Sequence, residues 1–444
     1  VNVQKECQIH YYDIGDYLSR EAKLEKLEIF KSLESVPFSK ITPNDKGDWI
    51  NQRGSDFDNL LPLKSDKNTQ GIFMINATGL VSGRDAWAYN FSKEILRESM
   101  QRCIDTYNGD LAKFNREEFV KKHKDIKKAD LYKQLNDTDI STDKTRIAWA
   151  RKLKKKFLEN EKLANVDENK VRIAFYRPFT KSYLYFDEAW TEEQSQFPQI
   201  FPNKDSENIA ILTSLMATKD FSSFIVNGIA DYQTLSNTSA FPLYYYLANG
   251  ERVCAISDFA LNAFEKHLGF GVSKEDIFYY IYALFSHKGF CEKYKFELCK
   301  EAPRISISKD FMTLANLGRK LAQLHLDYEN GECYKEVEFK EGLLTDKDND
   351  ELYKVAKIIK DKEGATLHYN AHITLKNISP KAYAYKINGR SVIDIFIDRY
   401  QIKTDKASLI KNNPNDFRGG KYIFELLCRI IVLCEKSVDI IESI

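Results

Sequence analysis

Glu338, Phe339 and Lys340 are the nearest approach in this sequence to carboxylate-metal chemistry. A nuclease of that kind places an acidic residue ahead of Glu-x-Lys, so that two carboxylates hold the metal and a lysine stabilises developing charge. The triplet supplies only the last part of that pattern, in a charged, loop-like stretch. His368 and His372 have the spacing of two zinc ligands on a helix, but HYNAHITL alternates like a strand, which separates residues four apart. A methyltransferase would need a glycine-rich strand-to-helix turn for its cofactor and an Asn/Asp-Pro-Pro-aromatic loop for the target amine. The closest stretch, Asn413-Pro414-Asn415-Asp416, lacks the second proline and the aromatic and reads as a turn. The sequence has no GxxxxGK[ST] phosphate loop. No catalytic, cofactor-binding or metal-binding residue is therefore expected in this chain.

Nucleic-acid recognition is the more coherent theme. Phosphates are contacted by Lys and Arg, and base edges are read by Arg, Lys, Asn and Gln. Between Lys144 and Lys156 there are seven Lys/Arg and no acidic residue. Trp149 and Leu153, four apart, give the segment an apolar stripe, which predicts a basic amphipathic helix. Val171 to Asp187 alternates β-branched and aromatic residues and predicts two strands joined at Pro178. That pair of elements suits a phosphate backbone, and equally suits a solvated helix face beside core strands. The candidate phosphate contacts are Arg146, Arg151, Lys152, Lys154, Lys155, Arg177 and Lys181. Asn51, Gln52 and Arg53, after Trp49, and Arg84, before Trp87, are the candidates on or near bases, and Lys93 completes the set. Arg84 next to Asp85 also reads as a structural salt bridge, and Phe175, Tyr176, Tyr183 and Tyr185 read as core.

Composition bounds these readings. With 66 basic and 65 acidic residues, no global field draws the chain to a polyanion, so any such site must come from local segregation of charge. An apolar content of 43% with 13% aromatics allows a sizeable core and excludes wholesale disorder. The eight cysteines are scattered without a CxxC pair, which argues against a zinc ribbon and for reduced, mostly structural thiols in a cytosol. No apolar run approaches a membrane span, and no membrane partner is expected.

These side chains must be positioned by an α+β assembly of mixed short strands and helices in two lobes. Residues 1–65 open with a strand (CQIHYYDI) and a helix capped by Ser19 with Leu24, Leu27 and Phe30 on one face. Ser65–Gly71 reads as a linker and the first boundary. A strand-rich region runs over 66–265, with a helix entering near Ser92, a charged excursion over 112–143, and strands at Ile209–Thr213 and Phe224–Val226. Region 266–444 is helical (KEDIFYYIYALFSH, LGRKLAQLHLDYE), then alternates again before SVIDIFIDRYQI and a final long helix. The chain begins at Val1 directly in strand-like sequence, as a piece of something longer would.

Several phrases strongly resemble the carboxy-terminal part of Type ISP restriction–modification enzymes. They are HYYDIGDYLSREAKLE, TPNDKGDWINQR, GRDAWAYNFSKE, FYRPFTKSYLYFD, DIFYYIYALF, GRKLAQLHLDYE and ING…IDRYQIKTD…NPNDF, in collinear order from about residue 10 to the end. The resemblance implies that 1–65 is the trailing edge of an adenine-specific methyltransferase domain and that the remainder is a target-recognition domain. It also implies double-stranded DNA and a methyltransferase domain as partners. S-adenosylmethionine, ATP and Mg would serve domains upstream. The function expected is sequence-specific DNA recognition that presents a target adenine for methylation. A stand-alone metal-dependent nuclease on Glu338 and Lys340 is the first alternative. A structural module docking the methyltransferase on a motor is the second.

Overall fold

The computed structural model describes residues 7–15, 18–50, 53–54, 56–66, 69–215, 220–340 and 349–444, which fall into two compact units, 1–55 and 56–444. In the first, Ile9–Tyr11 pairs antiparallel with Ser39–Ile41, and a helix spans Arg20–Phe30. Ser19 caps that helix, its hydroxyl accepting from Ala22 N at 3.1 Å. The apolar face expected at Leu24 and Leu27 is not covered: they are 54% and 50% exposed. Two three-residue strands offer too little apolar surface to bury it.

The boundary expected at residue 65 lies inside the second unit. Ile72 N donates to Pro62 O and Phe73 N to Leu63 O, both at 2.9 Å, so the chain doubles back across the supposed linker. The division expected at 265 falls within the helix Asp258–Leu268.

Three four-stranded sheets organise the second unit. The first orders Ile229–Ala230, Val171–Arg177, Thr180–Tyr185 and Tyr89–Asn90, with the Ile229 edge parallel and the rest antiparallel. In the second, Ala77–Thr78, Thr238–Pro242, Ala210–Ser214 and Ser223–Val226 are all antiparallel. Its two central strands, Ala210–Ser214 and Thr238–Pro242, are buried on both faces. Ala210 and Leu212 join a core shared with the first sheet, while Ile211, Ile225 and Phe241 join one built on the helices Lys274–Ser286 and Phe311–Leu326. Period-two alternation thus sends neighbouring apolar residues into different cores. Those two helices approach closely at Gly318, where a Cβ would stand 2.0 Å from Tyr279 O. The third sheet, Val337–Phe339, Ile373–Leu375, Leu367–His368 and Ile359–Lys360, packs on the final helix Gly419–Ser443.

A third core gathers Trp87, Tyr107, Leu153, Phe157 and Trp190 under the helix Lys93–Leu111, whose cap Ser92 accepts from Ile95 N at 3.2 Å. No helix among the described residues is long and apolar enough to cross a membrane.

Candidate nucleic-acid interface

The strands Val171–Arg177 and Thr180–Tyr185 form a hairpin whose turn is Pro178–Phe179, as the alternation predicts. The register shifts between Phe175 and Arg177, inserting Tyr176 as an extra residue. Such bulges re-aim side chains. Phe179 holds a positive φ of 54°, a conformation costly for a bulky residue. Its ring is buried against Phe224 and Tyr328, 4.7 and 5.2 Å between centroids, and Tyr400 Oη donates to its carbonyl. Packing therefore holds the hairpin tip.

A groove runs past this hairpin in three connected hollows. The first, about 550 Å³, is lined by Arg84, Trp87, Asn136, Lys144, Trp149 and Lys154. It shares Asp85, Ala86 and Asp405 with the second, about 510 Å³, which lies between Tyr89, Tyr176 and Ser182 on one side and Arg399, Gln401, Lys403 and Lys406 on the other. Arg399 continues into the third, about 240 Å³, where Arg177, Gln233, Asn388 and Arg390 converge. The wall beyond Arg399 is the hairpin Lys403–Thr404 with Lys411–Asn412. Asn90 Nδ2 donates to Lys411 O at 3.0 Å, and Phe91 N to Asn412 Oδ1 at 2.9 Å, tying that wall to the first sheet.

The floor is a buried polar cluster. Arg177 Nη1 donates to Asp231 Oδ1 at 2.9 Å, and its guanidinium carbon stands 3.9 Å from the Tyr176 ring centroid. Tyr176 Oη donates to Asp85 Oδ2 at 3.1 Å, and Ser82 Oγ donates to the other Asp85 oxygen. Burial pushes the Asp231 carboxyl up to about 6, helped by the charge of Asp85 and opposed by Arg177. At the far end Asp398 serves Arg399 at 2.9 Å, Lys403 at 3.4 Å and Arg390 at 3.5 Å. Burial would raise its pKa, but these cations hold it below the ordinary carboxylate range.

The basic segment 144–156 is not one helix. The helix is Arg151–Leu158, and Asp143 opens a turn by accepting from Thr145 N at 2.9 Å. Trp149 Nε1 donates back to Ser141 O, while Glu192 Oε1 accepts from Lys152 N at 2.7 Å in the helix's first turn. Gly83, at φ +68°, makes that contact possible, since a Cβ there would lie 2.6 Å from Glu192 Cγ. Leu153 and Trp149 still share a core. Three of the basic side chains face carboxylates: Arg151 meets Glu192 at 3.5 Å, Lys152 meets Glu188 at 3.4 Å and Lys156 meets Glu161 at 2.9 Å. Lys155 lies over the Tyr132 ring. Arg146 is exposed, and among the described residues it, Lys144, Lys154 and Lys406 have no ion-pair partner.

The remaining candidates divide sharply. Arg84 is not salt-bridged to Asp85. It is 5% exposed, its guanidinium lies 5.2 Å from the Trp190 ring centroid, and among the described residues its nitrogens have no oxygen or nitrogen partner. The Cys103 thiol beside it is a weak acceptor, and burial draws the guanidinium pKa down. Lys181 is buried against Glu329 at 2.5 Å, over the Phe175 and Tyr328 rings, so its ammonium is not directed to solvent. Lys93 pairs with Glu168 at 2.9 Å. Arg53 pairs with Asp48 in the first unit, and Asn51 and Gln52 lie outside the described residues. The groove therefore brings together Arg84, Lys154 and Arg177 from the expected set, with Arg84 sequestered in its wall.

Glu338 pairs with Lys376 at 2.6 Å, and no group of three or more His, Cys, Asp or Glu side chains among the described residues could hold a metal. His368 and His372 stand on a tight hairpin whose turn Asn370 closes by accepting from His372 N. Asn413–Asp416 is the turn it reads as, with Asn415 buried against Val355.

Residues 71–426 match the family model described as the Type ISP C-terminal specificity domain. The chain belongs to that family. Solved structures of Type ISP restriction–modification enzymes share its fold. One is the enzyme LlaBIII bound to DNA, at 34% identity and TM-score 0.85 over 99% of this chain. Another is a nuclease-deletion mutant of LlaGI in complex with a DNA substrate mimic, at 32% identity and TM-score 0.82 over 98% of this chain. A DrdV–DNA complex matches at 26% identity and TM-score 0.83 over 98% of this chain. The chain spans 28%, 33% and 43% of those chains respectively. No curated protein matches it. The mixed helix and short-strand fold expected of a Type ISP specificity domain is the fold observed.

Gln233, Asn388, Arg390, Arg399, Gln401 and Lys406 were not singled out by residue pattern. Asn388 lies within the phrase ING, and Arg399 and Gln401 within IDRYQIKTD, both of which carry the Type ISP resemblance; Lys406 directly follows the second, and these phrases were the available signal. Gln233 has none beyond its place in the turn-rich DYQTLSN.

Proposed function

We propose that this chain is the DNA target-recognition part of a restriction–modification enzyme and that the duplex lies along the three-hollow groove. The observation that carries the reading is the row of cations without carboxylate partners among the described residues: Lys144 and Lys154 at one end, Lys406 in the middle. Unpaired lysines on a concave surface gain most from displacing counterions at phosphates, which needs no net positive charge. The DNA-bound state of the LlaBIII, LlaGI and DrdV structures supports it by relationship. In this reading the domain presents a target adenine, turned out of the stack, to a methyltransferase domain. S-adenosylmethionine, ATP and Mg would act on other segments, and the enzyme would work in the bacterial cytoplasm. A nuclease centred on Glu338 has no supporting observation. A docking module that binds DNA weakly would leave the groove cations without a role.

The test is binding to duplex DNA across a salt series. Replacing Lys144, Lys154 and Lys406 with Gln lowers the slope of log affinity against log salt by about 1 per lysine and leaves sequence preference intact. An unchanged slope in the triple variant would show that the DNA lies elsewhere.

A further inference from the structure

We propose that the hollow at the tip of the 171–185 hairpin is a base-reading site in which Arg177 and Gln233 address purine edges. This rests on the reading above and goes beyond it by separating base contacts from phosphate contacts along one groove.

Arg177 spends only one guanidinium nitrogen on the protein: Nη1 donates to Asp231 Oδ1 and to the Tyr176 carbonyl. Among the described residues Nε and Nη2 have no hydrogen-bond partner, and the side chain lines the hollow at 16% exposure. That free edge offers two parallel N–H donors, the geometry that takes guanine O6 and N7 together. Asp231 on one side and the Tyr176 ring beneath hold the plane, so little side-chain freedom is lost on contact.

Gln233 is presented by an equally fixed turn. Its own N–H donates to Asp231 Oδ1 at 2.8 Å, and Thr234 N to Asp231 O at 3.0 Å. Thr234 Oγ1 donates to Phe175 O and Leu235 N to Thr238 Oγ1, each at 2.8 Å. The Gln233 side chain is exposed in the hollow, and its amide has no partner among the described residues. A free carboxamide of this kind matches adenine N6 and N7.

Charge decides between base and phosphate. Arg177 is balanced by Asp231, and Arg390 and Arg399 share Asp398. A phosphate entering here would meet guanidiniums already neutralised by these two carboxylates, whereas a base edge asks for directional donors and no net charge. Lys144, Lys154 and Lys406 lack such carboxylates among the described residues.

The experiment is selection of bound sequences from a random duplex library by the chain and by its Gln233→Ala, Arg177→Lys and Lys154→Gln variants, with the salt slope measured for each. The expected result is that Gln233→Ala and Arg177→Lys each flatten purine preference at one motif position by roughly ten- to hundredfold, with the slope unchanged. Lys154→Gln lowers the slope and keeps the motif. Gln233→Ala retaining every motif position, or weakening all sequences alike, would overturn the inference. Gln233 is exposed, so that variant decides even where Arg177→Lys unfolds. A parent chain that enriches no motif would instead overturn the DNA-recognition reading, and this inference with it.

Discussion

Lys181 shows how little a residue type says before its neighbours are known. On a strand beside Arg177 it reads as a phosphate contact, yet its ammonium is buried against Glu329, which Arg418 also meets at 3.0 Å. Burial would raise the Glu329 pKa, but Lys181 foremost holds it below its ordinary value. We predict that Lys181→Ala lowers stability in urea by about 2–4 kcal/mol, because it strips a buried charge of its nearest partner, and leaves the DNA salt slope unchanged. A lower slope at unchanged stability would return Lys181 to the phosphate set. Arg84 likewise belongs to the wall by virtue of Trp190, over a hundred positions away in sequence, and no local pattern predicts that. Lys154 was legible as a groove cation because its segment carries charge without acidic residues. Glu188 and Glu192, which neutralise its neighbours Lys152 and Arg151, come from a distant loop.

At the scale of elements, legibility followed locality. The 171–185 hairpin is visible in its alternation, and Ser19, Ser92 and the Pro414 turn announce themselves by type. The start of the Arg151 helix is not, because its first-turn acceptor is Glu192 rather than a cap in the sequence ahead of it. The placement of the 399–412 groove wall cannot be read from its residue pattern for the same reason: only tertiary pairing with Asn90 and Phe91 brings it to the first sheet. Two predictions belong here. Phe179→Ala loses the ring packing that holds a left-handed turn and costs about 3–5 kcal/mol in chemical denaturation. It also loosens the tip that carries Arg177, so motif enrichment weakens at temperatures where the variant is still folded. Gly318→Ala forces apart the helices Lys274–Ser286 and Phe311–Leu326 and destabilises by about 1–3 kcal/mol in the same assay. Retained stability would mean that the helices can slide without cost.

At the largest scale, two cores of the second unit are joined through His325, fully buried between Tyr282 and Ser437, 2.6 Å from Tyr282 Oη and 2.9 Å from Ser437 Oγ. Burial brings its pKa down to about 3. The unfolded chain protonates this histidine below about 6.5 while the folded chain does not, so stability is complete above that pH and declines as pH falls toward 3. Asp231 acts with the opposite sign. Its raised folded pKa of about 6 favours the fold at low pH, and that contribution is lost as pH climbs from the ordinary carboxylate value through 6. An Asp231→Asn variant should therefore show the histidine slope alone, losing about 2 kcal/mol between pH 7.5 and pH 5 by urea titration. A flat profile would mean that His325 is not held neutral.

The central claim concerns the groove as a unit, and one measurement meets it directly: selection of bound sequences by this chain from a random duplex library at two salt concentrations. Enrichment of one short motif, with affinity falling steeply as salt rises, is the predicted result. Absence of binding even at low salt would contradict the account and leave a member of the family whose groove serves some other partner.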